Sequence, residues 1–195
     1  MLTVEQIQQH FIEVLNGAIR RPALYGPGEV GLHYAMSNVT YVMETDDEWS
    51  DALAERGAWS SIGVSGAVRQ LMPETEQRAA ASVYADYARE HGWLTLDRVL
   101  TSDEYGDLHS ELATWCAVDR TRADVLARFG EPSVRIGGIG DQSLGYGRRV
   151  SRSCGSTPGT TRVLLAGRCG GQFVESLLFT PEGARRRPAE DDDEE

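Results

Sequence analysis

Apolar residues recur at helical spacing through the first two thirds of the chain and then switch to short extended runs. Over residues 3–20, Val4, Ile7, Phe11, Val14, Leu15 and Ala18 fall on one face, which predicts an amphipathic helix. Thr3 and Gln6 have capping-box spacing at its start, and Arg21-Pro22 ends it. The loop Ala23-Leu24-Tyr25-Gly26-Pro27-Gly28 is rich in helix breakers. A second helix is predicted over 30–44, burying Leu32, Met36, Val39 and Met43. A short acidic helix over 46–56 carries Trp49 and Leu53 and closes at Gly57. Residues 59–64 read as a short strand or loop, and 66–72 as a helical turn or two. Pro73 suits the start of a helix that closes at Gly92. Residues 93–100 read as extended or irregular. Ser102 is the predicted cap of a helix to about Val118, with Tyr105, Leu108, Leu112, Trp115 and Cys116 as its apolar stripe. Thr121 and Asp124 start another, which stops at Gly130 with Pro132 beyond.

After Pro132 the period changes. Residues 133–136, 142–146, 161–165 and 172–179 read as strands, separated by glycine-rich turns at 137–140, 155–159 and 167–171. No helix intervenes, so the strands read as an antiparallel meander. The expected fold class is α+β: an N-terminal helical layer over 1–130, then a small four-stranded antiparallel sheet over 131–180. Together they are read as one composite domain, 1–180, because no linker separates them. Residues 181–195 offer no core positions and read as a disordered acidic tail.

Composition narrows the chemistry. All 19 basic residues are arginine. Without lysine there is no Schiff base to a carbonyl cofactor, no GK[ST] phosphate loop and no Ser-x-x-Lys acyl-enzyme. Cys116, Cys154 and Cys169 are odd in number and contain no CxxC, so neither a disulfide framework nor a zinc knuckle is indicated. Cys154 and Cys169 have the positions of residues facing each other across a hairpin. No apolar run approaches the ~20 residues that span a bilayer. The first residues show no signal-peptide pattern, so a cytoplasmic location is expected.

The net charge of −11 is unevenly placed. Residues 1–95 hold 13 acids and 6 arginines, and residues 131–180 hold 3 acids and 6 arginines, so the sign reverses from −7 to +3. This acidity argues against nucleic-acid and anionic-membrane partners and favours a basic protein partner.

Several groupings of residues bear on chemistry. Gly63-Val64-Ser65-Gly66-Ala67 departs from a nucleophile elbow at its last glycine, and Ser65 reads as a helix cap. His10, His91 and His109 read as surface or helix-end residues. His33, beside Tyr34 and after the Pro/Gly loop, is the one candidate general base. Glu44, Asp46, Asp47, Glu48 and Asp51 lack the glycine and closing glutamate of a calcium loop. Within that cluster Trp49 has two readings, a core residue or an exposed anchor for a basic partner held by Asp46, Asp47 and Asp51. Gly137-Gly138-Ile139-Gly140 is not GxGxxG and reads as a turn. Arg148, Arg149 and Arg152 form a possible anion site, which the tail Glu190–Glu195 is placed to screen. No metal site, cofactor or catalytic grouping is indicated.

Two stretches carry a resemblance. TRADVLARFGEPS followed by SLGYG is similar to a recurring bacterial module in which a short helix ending FGxPS leads into small antiparallel strands. Val125, Leu126, Phe129, Gly130, Pro132, Ser133, Leu144 and Tyr146 carry it. RRPALYG at 20–26 resembles an RPxMYxG turn in small bacterial proteins of toxin-immunity and interaction type, with Leu24 in place of methionine. The resemblance implies a protein-binding role and no catalytic residue. The expected function is therefore a non-catalytic binding module, of immunity type, for a basic partner. Two alternatives stay open: a hydrolase or transferase with a site near Tyr25 and His33, and an assembly protein that pairs through its sheet edge.

Overall fold

Three reciprocal capping boxes set helix starts. Thr3 with Gln6 opens α1 (Val4–Arg20), Thr101 with Glu104 opens α6 (Ser102–Cys116), and Thr121 with Asp124 opens α7 (Arg122–Phe129). In each, the threonine oxygen takes one orphan N–H and the third residue returns to the cap's own N–H. Thr101, not Ser102, caps α6, because only it stands three residues before Glu104. Between these lie a 3-10 turn Pro22–Leu24, α2 (Val30–Val42), α3 (Glu48–Glu55), α4 (Val64–Arg69) and α5 (Glu76–Glu90). The computed structural model describes residues 2–45, 48–69, 76–138, 141–148, 151–159, 162–168, 172–173, 175 and 177–188. Pro73 falls outside them.

The strands are β1 (Arg120–Thr121), β2 (Val134–Gly138), β3 (Asp141–Arg148), β4 (Ser151–Gly159), β5 (Arg162–Arg168) and β6 (Leu177–Phe179). They form one antiparallel sheet in the order β1-β5-β4-β3-β2, with β6 also pairing β5. The fold is α+β, with most helices before the sheet.

The sheet has more strands than the hydrophobic pattern predicts. β4 occupies Ser151–Gly159, part of which reads as a turn in sequence. It pairs with β3 and β5 along its backbone, so ladder hydrogen bonds hold a stretch with almost no apolar signal. Its register sets Cys154 opposite Arg168; Cys169 lies outside the described residues. Residues 172–173 do not extend β6. The Phe173 N–H donates to the Arg56 carbonyl at 2.7 Å and the Gln172 side chain to the Glu55 carbonyl at 2.9 Å, which docks this segment on the end of α3.

The supposed tail also begins with structure. Thr180, fully buried, caps α8 (Pro181–Arg186) and donates to the Val163 carbonyl at 2.8 Å. Asp119 accepts from the Glu182 N–H and from Arg185, tying α8 to the end of α6. Proline at the first helical position and threonine before it are the signals that outweigh the charge run.

Side-chain alternation sends the two faces of the sheet to different helical layers. Val134 and Ile136 join the core of α1–α5. Leu144, opposite Arg135 in register, joins Tyr146, Val163 and Ala166 in a second core with α6 and α7. Gly145 faces Val134, and a Cβ there would sit 2.6 Å from a Val134 methyl, so only glycine allows that approach.

Long-range polar contacts fix the layers. Buried Asn16 donates to the carbonyls of Ile12 and Trp93, and accepts from the Thr95 N–H, each at 2.7 Å. Arg20 grips Asp97 with both nitrogens, at 2.8 and 3.0 Å. The FGEPS…GYG stretch is a latch. Gly130 takes φ of 72°, Tyr146 donates to its carbonyl at 3.0 Å, and Arg98 donates to the carbonyls of Phe129 and Glu131. Burial pushes the Tyr146 hydroxyl up to about 12. The residues behind the sequence resemblance thus have a folding task.

Replacing Asn16 by alanine strands the buried Trp93 carbonyl and removes the partner of the part-buried Thr95 N–H. The expected loss is about 3 kcal/mol of unfolding free energy, because each orphaned buried group costs roughly 1–3 kcal/mol. Chemical denaturation measures it, and a loss of less than about 1 kcal/mol would refute the pinning role.

Candidate interaction site

α3 separates its acids from its tryptophan. Trp49 and Leu53, four residues apart, share the inner face, while Glu48, Asp51 and Glu55 are exposed. Trp49 is only 2% exposed. Its ring meets Trp59 at 5.2 Å, His33 at 5.3 Å and Tyr84 at 5.5 Å. Of the two readings of Trp49, the core residue holds and the surface anchor is corrected. Asp51 stays available at the surface, and Asp46 and Asp47 lie outside the described residues.

Tyr25 and His33 serve different neighbours. The Tyr25 ring end lies against Gly17, where a Cβ would come within 2.2 Å of its hydroxyl oxygen. His33 is half-buried between Trp49 and Tyr34, and its N–H donates to the Glu29 carbonyl at 2.9 Å. Among the described residues no hydrogen bond or ring contact joins Tyr25 to His33. Arg148 ends β3 and Arg152 lies in β4, on one hairpin; Arg149 lies outside the described residues.

Sequence reasoning missed Glu29. Its carboxylate accepts from the N–H groups of Val64 at 3.1 Å and Ser65 at 2.5 Å, the first turn of α4. Ser65 is therefore not the cap; a glutamate some 35 residues earlier is. A Cβ on Gly63 would fall 1.7 Å from a Glu29 oxygen, and Gly63 has φ of +83°, so both space and backbone demand glycine there. Burial raises the Glu29 pKa, partly offset by the hydrogen bonds from Ser65 and Val64 and by the nearby His33. Burial and the Glu29 charge both raise the Tyr84 hydroxyl. With both carboxylate oxygens held by backbone donors, Glu29 braces the fold and is poorly placed to take a substrate proton.

A cleft of about 40 Å³ lies between α5 and the β2–β3 hairpin. Leu94, Leu96, Val134 and Ile136 line it, and its Arg89 is ion-paired with Asp86 at 2.8 Å. It has room for about three or four waters, at roughly 10–15 Å³ each. Among the described residues no three potential metal ligands come together, and no helix is long and apolar enough to cross a membrane.

The outer face of α2 is different. Val30 is 51% exposed, Tyr34 66% and Tyr41 75%. The helix carries no Asp, Glu or Arg. From Pro22 to Glu55 the chain has seven carboxylates and no arginine. Glu44, just past the helix end, takes φ of 58°, in the left-handed region where a non-glycine residue is uncommon. An uncharged aromatic strip thus lies within an acidic stretch of the sequence.

The raised Glu29 pKa has a testable sign. A carboxyl whose folded value is raised favours the fold most when protonated, so its contribution is full below the ordinary value of 4.5 and fades as pH rises through the raised one. Wild type should therefore lose stability relative to Glu29→Gln as pH rises above 4.5. Urea unfolding across that range decides; a flat difference, or one favouring wild type with rising pH, contradicts it. Comparison with protein-family models, curated proteins and solved structures finds no match.

Proposed function

We propose that the chain is a non-catalytic protein-binding module, of immunity type, whose partner is a basic protein. The observation that carries this reading is the exposure of Tyr34 and Tyr41 on a charge-free helix bordered by carboxylates. Tyrosine brings a large rigid contact area at low entropic cost and is enriched at binding hot spots. Surrounding acids steer a cationic partner to the face and raise the encounter rate.

Glu44 supports the same reading from its cost to the fold. Its carboxylate sits at the negative end of the α2 dipole, where a cation is preferred. Its backbone holds a conformation that suits glycine. Two local penalties at one exposed residue point to a use outside the fold.

The test separates stability from binding. Glu44→Gly should stabilise the protein by about 1 kcal/mol, yet weaken capture of the basic partner. Tyr34→Ala with Tyr41→Ala should weaken capture at least about tenfold while leaving the fold intact. Both are checked by thermal unfolding and by retention of host proteins on the immobilised chain at low and high salt, with identification of what is held. Retention of the same basic protein by wild type and double variant alike, or retention of an acidic one, overturns the reading.

A further inference from the structure

The outward strip of α2, with Val30, Tyr34 and Tyr41 exposed and Ser37 half-buried between the tyrosines, has a spacing that specifies the shape of what it receives. Val30, Tyr34, Ser37 and Tyr41 follow one another at intervals of four, three and four. At 100° per residue they fall within an arc of about 60°, and the strip is ~16 Å long. This is the seam spacing by which one helix packs along another.

Its middle has the form of a socket. Residues at i, i+3, i+4 and i+7 make the four corners of the hole that accepts a side chain from a facing helix. Here those corners are Tyr34, Ser37, Asn38 and Tyr41. Two exposed rings form the ends, 66% and 75% accessible, and the two small polar side chains form the sides. Asn38 is exposed and Ser37 half-buried, so the space between the tyrosines is open.

Resting on the binding role proposed above, we infer that this socket receives an apolar side chain from an arginine- or lysine-bearing amphipathic helix of the partner. Charge selects this occupant over the alternatives. The strip ends at Glu44, and α3, which packs on α2 through the ring contact of Trp49 with His33, presents Asp51 at the surface. A second copy of this chain carries the same net charge of −11 and no arginine between Pro22 and Glu55, so it offers this face no complementary cation there. A helix with basic flanks satisfies both the socket and the surrounding charge.

The probe is a synthetic three-heptad peptide with leucine at the a and d positions and arginine at e and g. Its control has the same charge and length but prolines inside the heptads, which prevent a helix. Calorimetric titration into the full chain at low ionic strength should show the helical peptide binding at least about tenfold more tightly than the proline control. Asn38→Trp plugs the socket without touching charge or tyrosines, and should cost at least about tenfold; circular dichroism checks that this surface variant is folded. Equal binding of the two peptides, or an unchanged affinity in Asn38→Trp, overturns the helix-docking inference and leaves the basic-partner reading standing. No binding of either peptide overturns both.

Discussion

Alternation along β2 and β3 sends Val134 and Ile136 to one helical layer and Leu144 and Tyr146 to another. An antiparallel sheet commonly leaves one face to solvent. Here α5 packs against β2, β3 and β4, while α6 packs against β3, β5 and β6. Covering both faces forces the polar atoms there to find partners inside. Ser133 and Thr180 answer that demand, through hydrogen bonds to the backbone of Gly147 in β3 and Val163 in β5. α2 and α3 each commit one face to the core of the first layer, through Leu32, Met36 and Val39 and through Trp49 and Leu53.

The sequence was most legible where structure depends on neighbours along the chain. The pairs Thr3–Gln6 and Thr121–Asp124 mark helix starts because a capping box needs only four consecutive residues. Phe129-Gly130-Glu131-Pro132 marks a stop for the same reason. β4 was illegible because Ser151–Gly159 offers no large apolar residue, and its place comes from the ladders on either side. Glu29 was illegible for a related reason. Nothing local distinguishes it, and its bond to Ser65 spans 36 residues. α8 was hidden in a charge run, although Thr180 and Pro181 are ordinary helix-start signals.

The acidic segment shows how a composition argument and a periodicity argument diverge. Composition puts Trp49 among acids and makes it a surface anchor. Periodicity pairs it with Leu53, four residues on, and turns both inward. The structure follows periodicity, because an amphipathic helix orients as a unit and exposing Trp49 would bury Asp51 or Glu48 unpaired. The carboxylates consequently stay at the surface. The aromatic surface they accompany belongs to α2, whose tyrosines read in sequence as part of an ordinary helix.

Charge and aromatic surface would divide the labour of recognition on such a face. Exposed carboxylates act over about 8 Å at physiological ionic strength, so they govern encounter and weaken as salt rises. Rings act only on contact, so they govern how long a complex lasts. Keeping charge off α2 itself matters to that division, since a carboxylate between Tyr34 and Tyr41 would be desolvated whenever a partner seated there. Glu44 lies at the end of the strip, where its charge remains hydrated. Glu29, at the other end, has its charge drawn inward and bound to α4. The two glutamates that bracket α2 therefore differ: Glu29 ties the start of α2 to the first turn of α4, and Glu44 carries an exposed charge just past its end on left-handed backbone.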